Sequence, residues 1–413
     1  MSIRILSILC LLMAGTLHAQ QYAILIKGGH VIDPRNNVDG VMDVAINGDS
    51  VARIAPNIDV RQAKQVINAK GLYVTPGLID LHSHNFYGTQ EDHYLSDGFE
   101  ALPPDGFTFR CGITTVVDAG GAGWRNFNTF KRQVIDHSKT RVLSFLNIVG
   151  EGMRGGPYEQ NRSDMDARMT ALVVQQHREI VGIKVAHYSG GEWDPVDRAL
   201  EAGRMARVPV IVDFGGHLPP LPLDDLLMKR LRPGDIFTHA YARVAGRLPV
   251  VDDAGNVLPF VREAQRRGVI FDVGHGGGSF LFSQAVPALK SGFFPNTIST
   301  DIHTGSMNAG MKDLNNVMSK FLVMGMPLKE VIAATTSKPA SVIAADDFGH
   351  LGQGAVADVA IFAVRKGKFG FVDSGGYRMD GDQKLECELT VRAGKIVYDL
   401  NGISRPGWQP GVK

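Results

Sequence analysis

Two histidines in the run PGLIDLHSH, His82 and His84, stand two residues apart at the end of an apolar stretch. Alternate positions on a β-strand share a face, so both imidazoles project the same way. Such a pair is either a clamp for a divalent cation or two hydrogen-bonded core histidines. Four more side chains able to hold a metal close similar runs: Lys184 in VGIKVAH, His217 after VPVIVDFGG, His239 in DIFTHA and Asp301 in NTISTD. One such residue means little. Several in succession, each ending a strand-like run, describe a metal site at the mouth of a barrel.

Lys184 is the least expected of the six. It is flanked by Ile183 and Val185, where a charged, dry ammonium is costly. Desolvation lowers the pKa of an amine, and a neutral amine adds to carbon dioxide to give a carbamate. Carbamylated Lys184 would be a long carboxylate able to bridge two divalent cations. The alternative is an ion pair with an interior acid such as Asp118 or Asp213. His217 and His239 would complete the shell of a second cation. Either could instead be a loop histidine, His217 above all in its Gly-Gly-His-Leu-Pro setting. Asp301 alternates inward with Thr297 and Ser299, where an acid can bind a cation and accept a proton from bound water. Its other reading is a helix N-cap, which the following Ile-His-Thr-Gly supports poorly. Together the six fit two-metal hydrolysis. Hydroxide held by two cations is available at neutral pH, one cation polarises the scissile carbonyl, and Asp301 serves as general base and then acid.

The elements that must carry these residues alternate between strand and helix patterns. Strand-like runs are LIDLHSH, TTVVDAG, RVLSFLNIVG, VGIKVAH, VPVIVDFGG, DIFTHA, VIFDVGHG and NTISTD. Helical stretches fall at 126–138, 165–180, 195–206, 223–231, 258–267 and 283–292, with further ones at 313–326 and 328–336. Eight strand–helix units predict an α/β fold, a (β/α)8 TIM barrel over 76–345, with a doubly wound open sheet as the alternative. Residues 20–75 and 346–413 are strand-rich instead, in YAILIKGGHVI, DVAINGDSVARIA, VADVAIFAVRK and ELTVRAGKIVYDL. They predict one small β-sandwich domain built from both chain termini.

Length and composition agree. A chain of 413 residues suits one barrel of about 250 residues plus an accessory module. Its 43 Lys+Arg against 42 Asp+Glu leave a formal charge of +1, which argues against a nucleic-acid or anionic-membrane partner. Residues 1–19 predict a cleaved signal peptide: Arg4, the apolar run 5–14, and a small-residue site at Leu17-His18-Ala19 before Gln20. The expected location is therefore outside the cytoplasm, in a periplasm. Beyond the leader only Cys111 and Cys387 remain, expected as two buried free thiols.

The full set of motifs resembles the amidohydrolase superfamily. VIFDVGHGGGSF, NTISTDIHTGSMN and LNNVMSKFLVMGMPLKEVIAATTSKPASVI resemble its dihydroorotase-like amidohydrolase/deacetylase branch, and FGHLGQGAVADVAIF is similar to the segment that re-enters the family's sandwich. The resemblance implies His82, His84 and Asp301 on a more buried cation, and His217 and His239 on a more exposed one, with carbamylated Lys184 between them. Zinc fits the ligand types best, although manganese, cobalt or iron would suit such a shell. The implied reaction is deacylation of an N-acyl amino acid or an acetyl ester; other relatives open cyclic amides. The implied partners are a small-molecule substrate and further copies of the chain. A non-catalytic scaffold on the same barrel is the competing class, but it would be expected to lack metal ligands, and all are present. Around the cluster, Arg154 and His275 are candidates to hold a substrate carboxylate and Asn147 to donate to a carbonyl, with His187 and His303 nearby in sequence. Each could equally stabilise a loop. The run Gly276-Gly277-Gly278 lacks the Lys-Ser/Thr tail of a phosphate loop; it reads as close backbone approach to the pocket.

Overall fold

The computed structural model of the protein describes residues 20–88 and 100–410. The leader expected at 1–19 lies outside them. Five strands open the described chain: β1 (Tyr22–Asp33), β2 (Val38–Asn47), β3 (Ser50–Ala55), β4 (Ala63–Asn68) and β5 (Tyr73–Pro76). Directly after Gly77 come seven parallel strands: β6 (Leu78–Ser83), β7 (Ile113–Gly123), β8 (Arg141–Asn147), β9 (Ile180–Val185), β10 (Val210–Val212), β11 (Ile236–Phe237) and β12 (Ile270–Phe271). The chain ends in β13 (Val359–Val372), β14 (Arg378–Arg392) and β15 (Lys395–Asp399).

In the parallel sheet each strand pairs with its neighbour in sequence, from β6 through to β12. All eleven residues of β7 are buried, as expected of a strand covered on both faces. Helices supply the cover. In the helix Asp194–Ala206, Val196, Ala199, Leu200 and Gly203 form the buried stripe at helical spacing. Asp194 and Asp197 occupy its first turn, where negative charge suits the helix dipole, and Arg207 ends it in the left-handed conformation.

The sheet is curled by the segment 297–302. It forms no ladder, but single bridges join Thr297 to Asp272 beyond β12 and Ile302 to Ser83 on β6. Asp301 N also donates to His82 O at 2.7 Å, and His275 N to Ser299 O at 3.3 Å. The eighth run of the sequence is therefore bridged on both sides, although too sparsely to count as a strand. A short helix, Thr304–Asn308, does follow it, with His303 rather than Asp301 at its N-cap. The sequence argued against a helix start there. Ser306 supplies what the sequence pattern hid: its Oγ accepts from His303 N and donates to Asp301 O.

Both ends of the chain meet in one mixed sheet, ordered β15-β14-β13-β5-β1-β2-β3 with β4 beside β1. β5 runs parallel to β1 and antiparallel to β13, so it joins the two ends. One apolar cluster draws Ile24, Ile26, Val44, Val74, Ile361 and Leu389 from both ends together. In the parallel sheet, Phe145, Ile211 and Ile236 pack with Leu81 and Val117 in a separate cluster. On β8, and on the strands that run through β10 and β11, these apolar residues precede Asn147, Asp213 and Thr238 by two positions. The strand period of two therefore stacks polar side chains directly above an apolar plug. Cys111 and Cys387 are buried and free, as expected. Among the described residues no helix is long and apolar enough to cross a membrane.

Candidate metal centre

At the ends of β6 and of the bridging segment, His82, His84 and Asp301 converge, with one ligand atom of each within 4.8 Å of the others. Asp301 Oδ1 lies 2.8 Å from His84 Nε2 and 3.5 Å from His82 Nε2. All three residues are buried. Burial alone would raise the Asp301 carboxyl, but His82 and His84 overcome it and hold the group well below the usual carboxylate range. Asp301 adopts a left-handed backbone at φ 50°; strain of this kind gathers where function over-determines geometry.

The orientation of His82 is set from beneath. Thr238 donates its hydroxyl proton to Asp272 Oδ2 at 2.7 Å, so its oxygen is left to accept from His82 Nδ1 at 3.0 Å. That fixes the proton on Nδ1 and turns the Nε2 lone pair into the site, the second-shell arrangement typical of metal-binding histidines. Asp272 also accepts from Thr297 at 2.6 Å and from Ser299 at 2.8 Å. Burial, reinforced by the charge of Lys184, pulls the His82 imidazole down to about 3, so it is neutral at physiological pH. Gly274 and Gly276 leave room for the cluster. A Cβ on Gly274, at φ +45°, would stand 2.4 Å from Thr238 Oγ1 and 3.1 Å from His82 Nδ1; one on Gly276 would stand 2.4 Å from Asp301 Oδ2. Of the glycine run only Gly276 shows the expected close approach; Gly277 has nothing nearer than 3.8 Å and Gly278 nothing within 4 Å.

Lys184 points into the same space. Its Nζ lies 3.2 Å from His82 Nε2, and the residue is only 1% exposed. Burial lowers its pKa, against the pull of Asp213 and Asp301. Across the site, the His239 ring lies 5.1 Å from that of His82. His239 Nδ1 contacts the Gly274 carbonyl at 2.6 Å, which requires the proton on Nδ1, and its Nε2 faces Asp213 Oδ2 at 3.2 Å. His217 sits four residues beyond Asp213. Its ring packs on Phe214 at 4.7 Å between centroids, and no hydrogen bond ties that ring to another described residue.

The remaining candidates divide. His187 joins the site: its Nδ1 lies 2.7 Å from Glu159 Oε2 and its Nε2 3.5 Å from Asp213 Oδ2. His303 lies at the rim, its ring 6.3 Å from that of His84. Asn147 spends its amide on backbone, donating to Gly120 O at 3.1 Å and accepting from Val149 N at 3.0 Å. His275 has both ring nitrogens engaged, Nδ1 with Gly276 O at 2.9 Å and Nε2 with Lys320 Nζ at 2.7 Å. Arg154 pairs with Glu151 at 3.2 Å and lies over the Tyr158 ring.

Several residues of the centre escaped the sequence reading. Asp272 in Phe-Asp-Val-Gly-His closes an apolar run just as Asp301 does, so the same signal could have found it. Thr238, Glu159 and Lys320 carry no such mark. Asp213 stands out in the sequence only as a possible partner for Lys184.

The donor set fits a divalent cation: a carboxylate held ionised, a neutral buried imidazole with its lone pair inward, and a second imidazole on the same oxygen. No family model matches the chain. It is 33% identical over 384 residues to a deacetylase of Agrobacterium fabrum, covering 88% of this chain and 91% of that one. The crystal structure of an adenine deaminase superposes with a TM-score of 0.80 at 29% identity, covering 92% of this chain and 100% of the other. That of a dihydroorotase superposes with a TM-score of 0.78, also at 29% identity, over 91% and 99%. With its histidine–aspartate cluster on that fold, the chain belongs to the amidohydrolase superfamily, in the dihydroorotase-like amidohydrolase/deacetylase branch, and is a hydrolase of carbon–nitrogen bonds.

Proposed function

We propose that the protein is a binuclear metal-dependent deacylase, removing an acyl group from a small substrate such as an N-acyl amino acid or an acetyl ester. The observation that carries this reading is the placement of a buried lysine amine 3.2 Å from His82 Nε2, beside the His82–His84–Asp301 cluster. His82, His84 and Asp301 would hold one cation. His239, with Lys184 as a carbamate and a side chain beyond β10, would hold the second; His217 is the sequence expectation for that last place. Zinc suits the imidazole and carboxylate donors. When bound, the cations would polarise the substrate carbonyl and acidify water into the neutral range.

Carbamylation of Lys184 needs its amine uncharged, and burial moves it that way. A bond then forms between Nζ and the carbon of carbon dioxide, and one N–H proton is released. Asp301, held ionised at neutral pH, takes the proton of the attacking water and returns it to the leaving nitrogen or oxygen. In the metal-free protein His84 Nε2 lies 2.8 Å from the same carboxylate.

The deacetylase relative favours acyl removal. The dihydroorotase neighbour keeps cyclic amide opening as the second reading. The same proposal takes residues 76–345 as a (β/α)8 barrel, with 297–302 in the place of its eighth strand. It takes 20–75 and 346–413 as a sandwich folded around their shared apolar cluster. Export is proposed too, with the mature chain starting at Gln20; N-terminal sequencing of the secreted protein tests it.

The function is tested by metal analysis together with a screen of N-acetyl-D- and L-amino acids, acetylated hydroxy acids and cyclic ureides. Turnover of one acylated class by metal-loaded enzyme is the expected result. Activity confined to cyclic ureides would replace deacylation with ring opening. Full activity in protein holding essentially no metal would overturn both.

A further inference from the structure

Beyond β10 the chain places an acid where the sequence directed attention to a histidine. Asp213 is the first residue after that strand, and its backbone N–H donates to Val185 O at 3.0 Å, which aligns it with the end of β9 just past Lys184. Its Oδ2 stands between two imidazoles, 3.2 Å from His239 Nε2 and 3.5 Å from His187 Nε2.

The other nitrogens of those rings decide what this means. His239 Nδ1 meets a carbonyl oxygen at 2.6 Å, and His187 Nδ1 meets a carboxylate oxygen at 2.7 Å. Neither oxygen can donate, so both rings carry a proton on Nδ1. In their neutral form both then present an Nε2 lone pair toward a carboxylate. Lone pairs facing an anion are repulsive unless positive charge lies among them. Two extra protons satisfy the arrangement, and so does one cation. Each ring is already held on its outer side by an oxygen acceptor, as metal-binding histidines are. Both residues also adopt left-handed backbones, at φ 54° for His187 and 56° for His239, matching Asp301 at 50° on the other side of the site. Holding three non-glycine residues in that region is costly.

We infer that Asp213, His187 and His239 are the chain's own ligands to the second cation, with Lys184 beside them, and that His217 is not one of them. The inference rests on the binuclear reading above. It adds a carboxylate where an imidazole was expected, which lowers the charge of the shell by one and hardens its donor set. His217 is left outside the ligand set, with its ring on Phe214. Glu159 becomes a positioning residue that holds His187 by its far nitrogen.

The test counts metal and reads its environment. Metal-free wild type, Asp213→Asn, Asp213→Ala, His187→Gln and His217→Ala are loaded with cobalt(II) in the presence of bicarbonate, desalted, analysed for metal, and examined by visible absorption. Wild type and His217→Ala are expected to keep about two ions, and the two Asp213 variants and His187→Gln about one, with a changed ligand-field spectrum. Asp213→Asn preserves shape, so a loss seen there is not a failure to fold; circular dichroism checks each variant. Two ions in Asp213→Asn with a wild-type spectrum, or the loss of one in His217→Ala, would overturn the assignment while leaving the hydrolase reading intact. A wild type that takes up no metal at all would remove both.

Discussion

Asp272→Asn asks whether His82 is oriented by the shell beneath it. The carboxylate is fully buried and accepts hydroxyl protons from Thr238 at 2.7 Å, Thr297 at 2.6 Å and Ser299 at 2.8 Å. A hydrogen bond to a charged group contributes about 1.5–3 kcal/mol, against about 1 kcal/mol for a neutral pair. An amide keeps the volume and one oxygen but not the charge. Three bonds each weakened by roughly 1 kcal/mol give a loss of roughly 3 kcal/mol in the stability of the metal-free protein. A second effect reaches the metal. If Thr238 turns its proton elsewhere, His82 Nδ1 loses its fixed acceptor, and outer partners of this kind are worth about 10–100-fold in metal affinity. Urea unfolding of metal-free protein measures the first quantity, and zinc competition against a chromophoric chelator the second. Thr238→Val, which leaves Asp272 charged, should reproduce most of the affinity loss with a smaller change in stability. If Asp272→Asn unfolds at the wild-type urea midpoint and binds zinc as tightly, the hydroxyl–carboxylate shell does not govern His82 and the reasoning is refuted.

Further outcomes follow from the same geometry. Asp301→Asn should lower kcat by about 100-fold or more if it moves the proton, with the rate expressed per metal-loaded site because the amide also weakens one ligand of the His82–His84 cation. Lys184→Ala should abolish turnover and remove the carbamate carbon signal that ¹³C-bicarbonate gives in wild type; short carboxylic acids should restore part of the rate. Gly274→Ala forces a Cβ to 2.4 Å from Thr238 Oγ1 and 2.8 Å from His239 Nδ1, an overpacking of about 1–3 kcal/mol that a lowered melting temperature would show. In metal-free protein, His187 is raised to about 10: burial opposes this, but Asp213 and Glu159 prevail. A raised pKa means stability fully present below the unfolded value near 6.5 and lost as pH climbs through 10. Metal-free His187→Gln should therefore show a flatter urea midpoint between about pH 7 and 10 than wild type.

The parallel strands were legible because each is an apolar run ended by a polar or charged side chain, and that same pattern marked His82, His84, Lys184, His239 and Asp301. Strand ends are harder to place to the residue. β10 stops at Val212, so the side chain at its mouth is Asp213, whereas the VIVDFGG run allowed His217 to take that place. The eighth run shows alternation in NTISTD, yet its bridges fall only at Thr297 and Ile302: between them Thr300 gives its backbone N–H to Asp80 Oδ1 and Asp301 turns to a left-handed φ of 50°. His275 resembled a site residue for the same reason as the others. Only the fold reveals Lys320, 45 positions away in sequence, against its ring, and burial draws that lysine down to about 7. Contacts between distant segments leave no mark in local spacing.

The seam between β5 and β13 bears on how the chain is made. Pro76 pairs with Val359, so a ribosome must deliver roughly 280 further residues, over roughly 14–56 s, before the nascent β5 finds its neighbour. Throughout that interval its outer rim offers unclaimed amides and carbonyls to any passing strand. Crowded translation, rather than the finished molecule, is where this architecture is exposed to aggregation.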